Sequence, residues 1–216
     1  TPSLRLPAIY GDHMVLQREQ LVPVWGWVTN GQAPTVWIEN APGPLIAGAV
    51  TSAVAVVDGN GRWQAYLGPF KAGGPCTLRV QNAAQSATYT NVMIGEVWFC
   101  SGQSNMEMAM RDTDNYGSEP ANYPNLRLFS VDYAQAMAPR TTPNGAYWST
   151  CNSSVAANFS AVGFFFGRHI HTNLNIPVGI IVAARGATRI EAWMSRNVLR
   201  TIPERVGDAD RGDWIA

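Results

Sequence analysis

The stretch "VWFCSGQSNMEMAM", residues 97–110, joins a β-branched and aromatic run to a helix-forming run through a small polar turn. A strand that passes directly into a helix is the building unit of parallel α/β folds. Gly102 permits a sharp bend at the junction, and Ser101 and Ser104 flank it. Ligands of such folds bind outside the carboxyl ends of the strands. The stretch therefore predicts an α/β fold with a candidate site at this turn.

The same alternation continues towards the end of the chain. Apolar runs predict three strands of a parallel sheet, and periodic runs predict the helices between and after them. A second small turn, Gly186-Ala187-Thr188, follows the third strand. If both turns flank one crevice, they face one ligand. The predicted strands are 92–100, 125–131 and 177–184, and the predicted helices begin near Asn105 and cover 160–174 and 189–202.

Residues before 92 are typical of an all-β unit, because short apolar runs alternate with turn clusters rich in Gly, Asn and Pro. In 62–68, Trp63, Ala65 and Leu67 alternate with polar residues, the period of a strand with one face on a core. The other predicted strands are 22–28, 35–39, 53–58 and 76–81. We therefore predict a β-sandwich module over 1–91, followed by the first part of an α/β domain over 92–216.

Four of the eight tryptophans lie in this β half, at positions 25, 27, 37 and 63. Tryptophans at period-two strand positions belong to a core more often than to a sugar-stacking surface. The pattern favours core positions and leaves sugar binding as the alternative.

Composition excludes several classes of protein. The 15 basic and 15 acidic residues cancel, and only 14% of residues are charged, so a nucleic-acid partner is not expected. No apolar run reaches the roughly 18 residues of a membrane span. Cys76, Cys100 and Cys151 show no Cys-x-x-Cys spacing. We predict no metal and no cofactor.

Two interpretations of Ser104 stand side by side. Ser104-x-x-Glu107 matches a capping box, in which the serine hydroxyl accepts from an amide at the helix start, and Thr188-x-x-Glu191 matches the same template. Alternatively, Ser104 is a nucleophile above the sheet edge, and its own amide helps to stabilise an oxyanion. Taken alone, the pattern favours capping.

A nucleophilic serine needs a base, and the histidines offer none. His169 and His171 are two residues apart on a predicted helix, so they point in nearly opposite directions and share no metal. They are expected on the helix surface. His13 lies in the β half and is expected in a turn or core contact. From the residues alone, the nucleophile is supported and its base is missing.

Six colinear motifs between residues 6 and 196 resemble the sialate O-acetylesterase family of the SGNH hydrolase superfamily. The family fold, a β-sandwich joined to a flavodoxin-like hydrolase domain, agrees with the division made above. The motifs are "GDHMVLQR", "VPVWGW", "KAGGPCTLRV", "IGEVWFCSGQSNMEM", "VGFFFGRHIH" and "IPVGIIVAARGATRIEAW".

The resemblance implies a serine esterase that removes acetyl groups from sugars through an acetyl-enzyme. It makes Ser104 the nucleophile and an oxyanion donor, Gly186 a second oxyanion donor, and Ser101 structural. We expect Gln103, Arg185 and Arg189 to bind substrate. O-acetylated sialic acid is the expected substrate. The alternatives are an esterase of acetylxylan-type polysaccharides and a non-catalytic carbohydrate-binding or structural module.

This chain departs from the family at the second turn, where Arg185-Gly186-Ala187-Thr188-Arg189 replaces Trp-Gly-Gly-Thr-Pro. The alanine amide can still donate, although its Cβ would strain a left-handed backbone. The two arginines could pair with a sugar carboxylate or with a carboxylate of the protein itself. Both alternatives stay open.

A larger departure is that the family's oxyanion-hole asparagine and catalytic Asp-x-x-His lie downstream of the position equivalent to 216. Three strands would also leave an unpaired sheet edge. We expect a second polypeptide or C-terminal segment to complete the sheet and to supply the base. Two sequons, at Asn152 and Asn158, are no more than composition predicts by chance. The expected location is secreted or lysosomal, or periplasmic in a bacterium.

Overall fold

A computed structural model describes residues 3–114, 116–134, 140, 142 and 145–210, with the side chains of 208–210 left aside. The first part of the chain is all β. Its strands are β1 (Leu4–Arg5), β2 (Val15–Gln17), β3 (Val22–Val28), β4 (Thr35–Glu39), β5 (Ser52–Val54), β6 (Val56–Val57), β7 (Arg62–Leu67), β8 (Gly73–Gln81) and β9 (Ser86–Gly102).

The second part alternates helices and strands. Its elements are α1 (Ser104–Glu107), β10 (Tyr123–Ser130), β11 (Trp148–Cys151), α2 (Ser153–Ala157), α3 (Ala161–Leu174), β12 (Val178–Ala184) and α4 (Arg196–Leu199). Short 3-10 helices occupy Met110–Asp112, Tyr116–Ser118, Ile190–Trp193 and Pro203–Asp210.

Two sheets form the framework. A four-stranded sheet has the order β1-β3-β7-β6, and a larger sheet has the order β11-β10-β12-β9-β8-β4-β5, with β2 on β9. Strands β10, β12 and β9 are parallel, as predicted, whereas β11 is antiparallel to β10. β9 pairs through its first half with β8 and through its second half with β12, so it links the two parts of the chain.

The mixed α/β class is confirmed. The flavodoxin-like completion of the sheet and the module boundary at 91/92, which falls inside β9, stay predictions. The elements β1, β2, β11 and α2 have no counterpart among the predicted ones, and β9 begins six residues before its predicted start. These elements are short or polar, so their apolar period is weak.

The predicted alternation in β7 is confirmed, since Trp63, Ala65 and Leu67 are buried and the residues between them are not. The predicted strand 53–58 is instead two strands on different sheets, which separate at the buried Ala55. The chain crosses from the larger sheet to the four-stranded sheet at this point.

The core prediction for the tryptophans holds for Trp63, whereas Trp25, Trp27 and Trp37 are only half-buried. Trp25 and Trp27 lie on the outward face of β3, with ring centroids 5.2 Å apart, and Trp25 also packs against the core. Guanidinium groups cover them, Arg62 at 5.1 Å from the centroid of Trp25 and Arg5 at 4.4 Å from that of Trp27. Such cation–π contacts stabilise aromatic rings at a surface.

The single predicted helix 189–202 is also wrong. A 3-10 helix ends at Trp193, and the backbone then extends at Met194, where φ is −101° and ψ is 141°. The Ser195 hydroxyl accepts from the Val198 amide and begins α4. A side-chain cap within the periodic run therefore divides it into two short helices.

Helix α3 covers one face of the parallel strands and matches its prediction within a residue. The Ser160 hydroxyl accepts from the Gly163 amide at the helix start. Gly167 lets the helix lie flat on the sheet, because a Cβ there would stand 2.6 Å from Ile180 Cγ1 and 2.9 Å from Leu126 Cδ1. No helix among the described residues is long and apolar enough to cross a membrane.

The last part of β9 presents an open edge. Trp98 to Gly102 pair with β12 on one side and with no described strand on the other. Trp98 is 43% exposed and Phe99 64% exposed, although they point to opposite faces of the sheet. Unpaired edges with apolar residues are normally covered in stable proteins.

A buried arginine joins the two parts of the chain. Arg127 of β10 is 3% exposed, and its guanidinium donates to the carbonyl oxygens of His13, Asn91 and Pro124 and to Asn91 Oδ1. Burial lowers the pKa of Arg127 from its usual value. Four acceptors replace the water that the cation loses on burial.

Candidate active site

The two small turns lie side by side at the carboxyl edge of the parallel strands. Register pairs Ala184 with Gly102 at the ends of β12 and β9, and the Arg185 amide donates to the Gly102 carbonyl at 3.1 Å. A Cβ built on Gly186 would lie 3.6 Å from Ser104 Cβ. The expectation that both turns face one crevice agrees with this geometry.

Ser104 is the first residue of α1 and is exposed. Its hydroxyl makes no hydrogen bond with any described residue, so it is free to meet a ligand. Helix geometry leaves the first amides of α1 without intrahelical partners. The Ser104 amide is one of these, which suits a donor to an oxyanion.

The capping-box interpretation of Ser104 is wrong. Gln103 is the N-cap of α1, and it makes no side-chain capping bond. The Glu107 carboxylate instead accepts from the Gly186 amide at 2.6 Å, and Arg185 Nη1 lies 3.3 Å from its other oxygen. Glu107 reaches across the sheet edge because Gly186 and Arg185 together offer an amide and a cation, a stronger partner than its own helix start.

The second capping box is wrong for a similar reason. The Thr188 hydroxyl donates to the Arg185 carbonyl at 2.7 Å and accepts from Trp193 Nε1 at 3.0 Å. Glu191 forms an ion pair with Arg205 at 2.7 Å. These contacts tie the turn to the 3-10 helix that follows it.

The three residues expected to bind substrate lie in different surroundings. Arg185 pairs with Glu107, the second of the two alternatives, and its guanidinium stacks 4.5 Å from the ring centroid of Tyr133. Gln103 and Arg189 are exposed, and the Arg189 guanidinium has no partner among the described residues. Arg189 is thus available to an anionic ligand.

A cavity of about 380 Å³ opens on the face of the sheet opposite α3. Tyr133 and Trp193 give it aromatic walls, and its lining includes Arg185 but neither Ser104 nor Gly186. Only the fold brings Tyr133 and Trp193 together, since they are distant in sequence. The cavity is lined by Phe99, Ser101, Val131, Asp132, Tyr133, Ala183, Ala184, Arg185 and Trp193.

Ala187 adopts the left-handed backbone that the glycine-to-alanine difference suggested, with a φ of 60°. This conformation is costly for any residue with a Cβ. Hydrogen bonds of Glu107, Thr188 and Trp193 hold the turn in place and offset this strain.

We expect Ala187→Gly to raise the free energy of unfolding by up to about 1 kcal/mol, because relief of the left-handed strain exceeds the added chain entropy of glycine. Denaturant titration measures it. Ala183→Gly in β12 is the matched control and should lower the free energy of unfolding, since Ala183 has no positive φ. A loss for both variants would contradict the prediction.

None of the three histidines can act on Ser104. His13 lies in a turn and contacts Asn91, and Asn91 is eleven residues before the end of β9, roughly 35 Å along a strand. His169 and His171 lie towards the far end of α3, and His171 contacts the Ile176 carbonyl. The sequence contains no other histidine.

The three cysteines form no disulfide with one another, and all three are free thiols. Burial raises the pKa of Cys100, which makes a reactive thiolate near Ser104 unfavourable. No group of three His, Cys, Asp or Glu side chains among the described residues could hold a metal ion.

An exposed serine on a strand-to-helix turn, beside a second turn at the carboxyl edge of a parallel sheet, is an arrangement that serine hydrolases use. Comparison with known proteins narrows this class. A family model described as carbohydrate esterase, sialic acid-specific acetylesterase matches residues 94–209. The chain belongs to this family.

Individual relatives agree. Sialate O-acetylesterase of Rattus norvegicus is 33% identical over 92% of this chain and 39% of its own length, and that of Homo sapiens is 33% identical over 92% and 40%. The chain therefore spans about two fifths of these relatives. A carbohydrate acetylesterase from Xanthomonas citri superposes with a TM-score of 0.82 at 31% identity, over 92% of this chain and 44% of that one.

Proposed function

We propose that this protein is a serine esterase that removes O-acetyl groups from sugars. Ser104 Oγ attacks the acetyl carbon while a base takes its proton. The bond from the acetyl carbon to the sugar oxygen breaks, and that oxygen takes a proton as it leaves. Water then attacks the acetyl-enzyme, releasing acetate and restoring the Ser104 hydroxyl. No cofactor is needed for these steps.

The observation that carries the proposal is the proximity of the free Ser104 hydroxyl to the Arg185–Thr188 turn. It places a nucleophile beside backbone donors at a sheet edge, where an ester carbonyl could lie between them. The similarity to a sialic acid-specific acetylesterase family and to carbohydrate acetylesterases supports an acetyl group as the acyl group and a sugar as its carrier.

We further propose that a segment outside this sequence completes the sheet and supplies the imidazole. The three histidines of the chain are remote from Ser104, and the β9 edge from Trp98 to Gly102 has no described neighbour. Apolar surface flanks this edge on both faces, with the Trp98 and Phe166 rings 5.2 Å apart on one side and Phe99 on the other. A further strand would cover these side chains.

O-acetylated sialic acid is the proposed substrate, because Arg189 is an unpaired cation three residues from Gly186 and could meet a sugar carboxylate. An acetylxylan-type polysaccharide has no such carboxylate on its acetylated unit and remains the second candidate. A location outside the cytoplasm, secreted, lysosomal or periplasmic, is proposed with it.

Labelling with a fluorophosphonate tests the nucleophile. In the protein expressed from its complete reading frame, we expect stoichiometric modification of Ser104, located by peptide mass spectrometry. Ser101→Ala should keep the label, and Ser104→Ala should lose it. An unlabelled wild-type protein would instead support the non-catalytic module.

Intact mass spectrometry of the protein from its natural source tests the completing segment. We expect either a longer polypeptide or a second chain that co-purifies in equal amount. If the 216-residue chain hydrolyses acetyl esters with no other polypeptide present, this part of the proposal is wrong.

A further inference from the structure

The Gly186 amide is already engaged in the free protein. It donates to Glu107 Oε2 at 2.6 Å, a short bond to an ionised group. An amide carries a single hydrogen, so this donor cannot also make a linear bond to an oxyanion on the Ser104 side. The expected second oxyanion donor is therefore occupied by a side chain of the nucleophile's own helix.

We propose that the Ala187 amide is the second oxyanion donor and that Glu107 is the positioning residue that aims it, an inference that rests on the proposed esterase function. The Ala187 amide is the next donor along the turn, and it makes no hydrogen bond with any described residue. This amide belongs to the peptide that follows Gly186. A Cβ built on Gly186 would lie 3.6 Å from Ser104 Cβ, so the peptide starts close to the nucleophile.

Glu107 holds this peptide in two ways. Its carboxylate takes the Gly186 amide and an Arg185 guanidinium nitrogen, so both contacts tie the turn to the helix that begins with Ser104. Together with the backbone bond from the Arg185 amide to the Gly102 carbonyl, these contacts fix the distance between the nucleophile and the turn. Displacements of about 1 Å at such a site can lower a rate by roughly 10²-fold.

Arg185 has a second effect in this arrangement. An unpaired carboxylate close to a developing oxyanion would destabilise it by charge repulsion. The Arg185 guanidinium, held over Tyr133 at 4.5 Å, offsets the charge of Glu107. The left-handed φ of 60° at Ala187 fits this role, because it sets the orientation of the peptide that carries the Ala187 amide.

Amide-to-ester replacement tests the donor directly. Lactic acid in place of Ala187 removes the N–H and keeps the side chain, and glycolic acid in place of Gly186 does the same one residue earlier. In the protein from the complete reading frame, we expect the ester at 187 to lower kcat roughly 10²- to 10³-fold with little change in KM. The ester at 186 removes the N–H through which Glu107 holds the turn, so it should lower kcat by no more than Glu107→Ala does, roughly 10- to 100-fold, and it should also reduce stability.

Variants of Glu107 test the positioning role. Glu107→Ala should lower kcat by roughly 10- to 100-fold at nearly constant KM, and Glu107→Gln should recover most of this loss, because its amide oxygen still accepts from Gly186. A purely structural role would predict equal kcat for folded Ala and Gln variants.

The inference is overturned if the ester at 186 costs as much kcat as the ester at 187, or if Glu107→Ala turns over at the wild-type rate. Either result leaves the esterase function intact, provided that the wild-type protein in the same preparation is labelled at Ser104. A wild-type protein that is not labelled would contradict the proposed function and this inference with it.

Discussion

Ser104→Ala is expected to lower kcat for acetyl-ester hydrolysis by roughly 10⁴- to 10⁶-fold, because the acetyl-enzyme can no longer form. Backbone donors and substrate contacts survive the change, so a residual rate above that of water alone should remain. Steady-state hydrolysis of an O-acetylated sugar, followed by acetate release, measures the effect in the protein expressed from its complete reading frame.

The stability of the same variant separates chemistry from folding. The Ser104 hydroxyl makes no hydrogen bond with a described residue, and surface changes of this kind alter the free energy of unfolding by less than about 0.5 kcal/mol. Ser101→Ala, three residues before Ser104 in the chain, is the matched control and should retain hydrolysis. If Ser104→Ala keeps even a hundredth of wild-type kcat, Ser104 is not the nucleophile.

Arg127→Met is expected to lower the free energy of unfolding by about 3 to 5 kcal/mol. The substitution removes the donor from the partly buried carbonyl oxygens of His13, Asn91 and Pro124, and an acceptor left unsatisfied away from water costs about 1 to 3 kcal/mol, with some relaxation. Chemical denaturation monitored by tryptophan fluorescence measures the change.

Arg79→Met is the matched control for Arg127. Arg79 pairs with Glu39 at 2.8 Å between partly exposed strands, where an ion pair contributes less than about 1 kcal/mol. Similar losses for the two variants would show that the four acceptors around Arg127 contribute nothing beyond an ordinary surface pair.

Sequence patterns predicted the elements whose period is strong. The alternation of Trp63, Ala65 and Leu67 and the apolar run of β12 both identify buried strands. Burial of one face requires an apolar residue at every second position, and burial of both faces requires one at nearly every position. The run 189–202 failed because a single cap, at Ser195, is a local hydrogen bond that an apolar period does not record.

The candidate site also has one feature that the local sequence predicted and one that it did not. The turn after β9, with Ser104 above it, is a local consequence of a strand, a glycine and a helix start. The partner of Glu107 could not be predicted locally. The capping-box pattern predicts a bond to the start of its own helix, but the carboxylate accepts from the Gly186 amide, 79 residues away in the chain.

By itself, the sequence determined the strands with a strong apolar period, such as β7 and β12, and placed Ser104 on the strand-to-helix turn that follows β9. Only the tertiary structure decided that the Gly186 amide donates to Glu107 and that Arg127 hydrogen-bonds groups from both parts of the chain. It also decided that no histidine of this chain comes near Ser104. The reason is physical: a side-chain period acts between neighbours in the chain, whereas a hydrogen-bond partner is chosen among all groups that sheet register brings within about 3 Å.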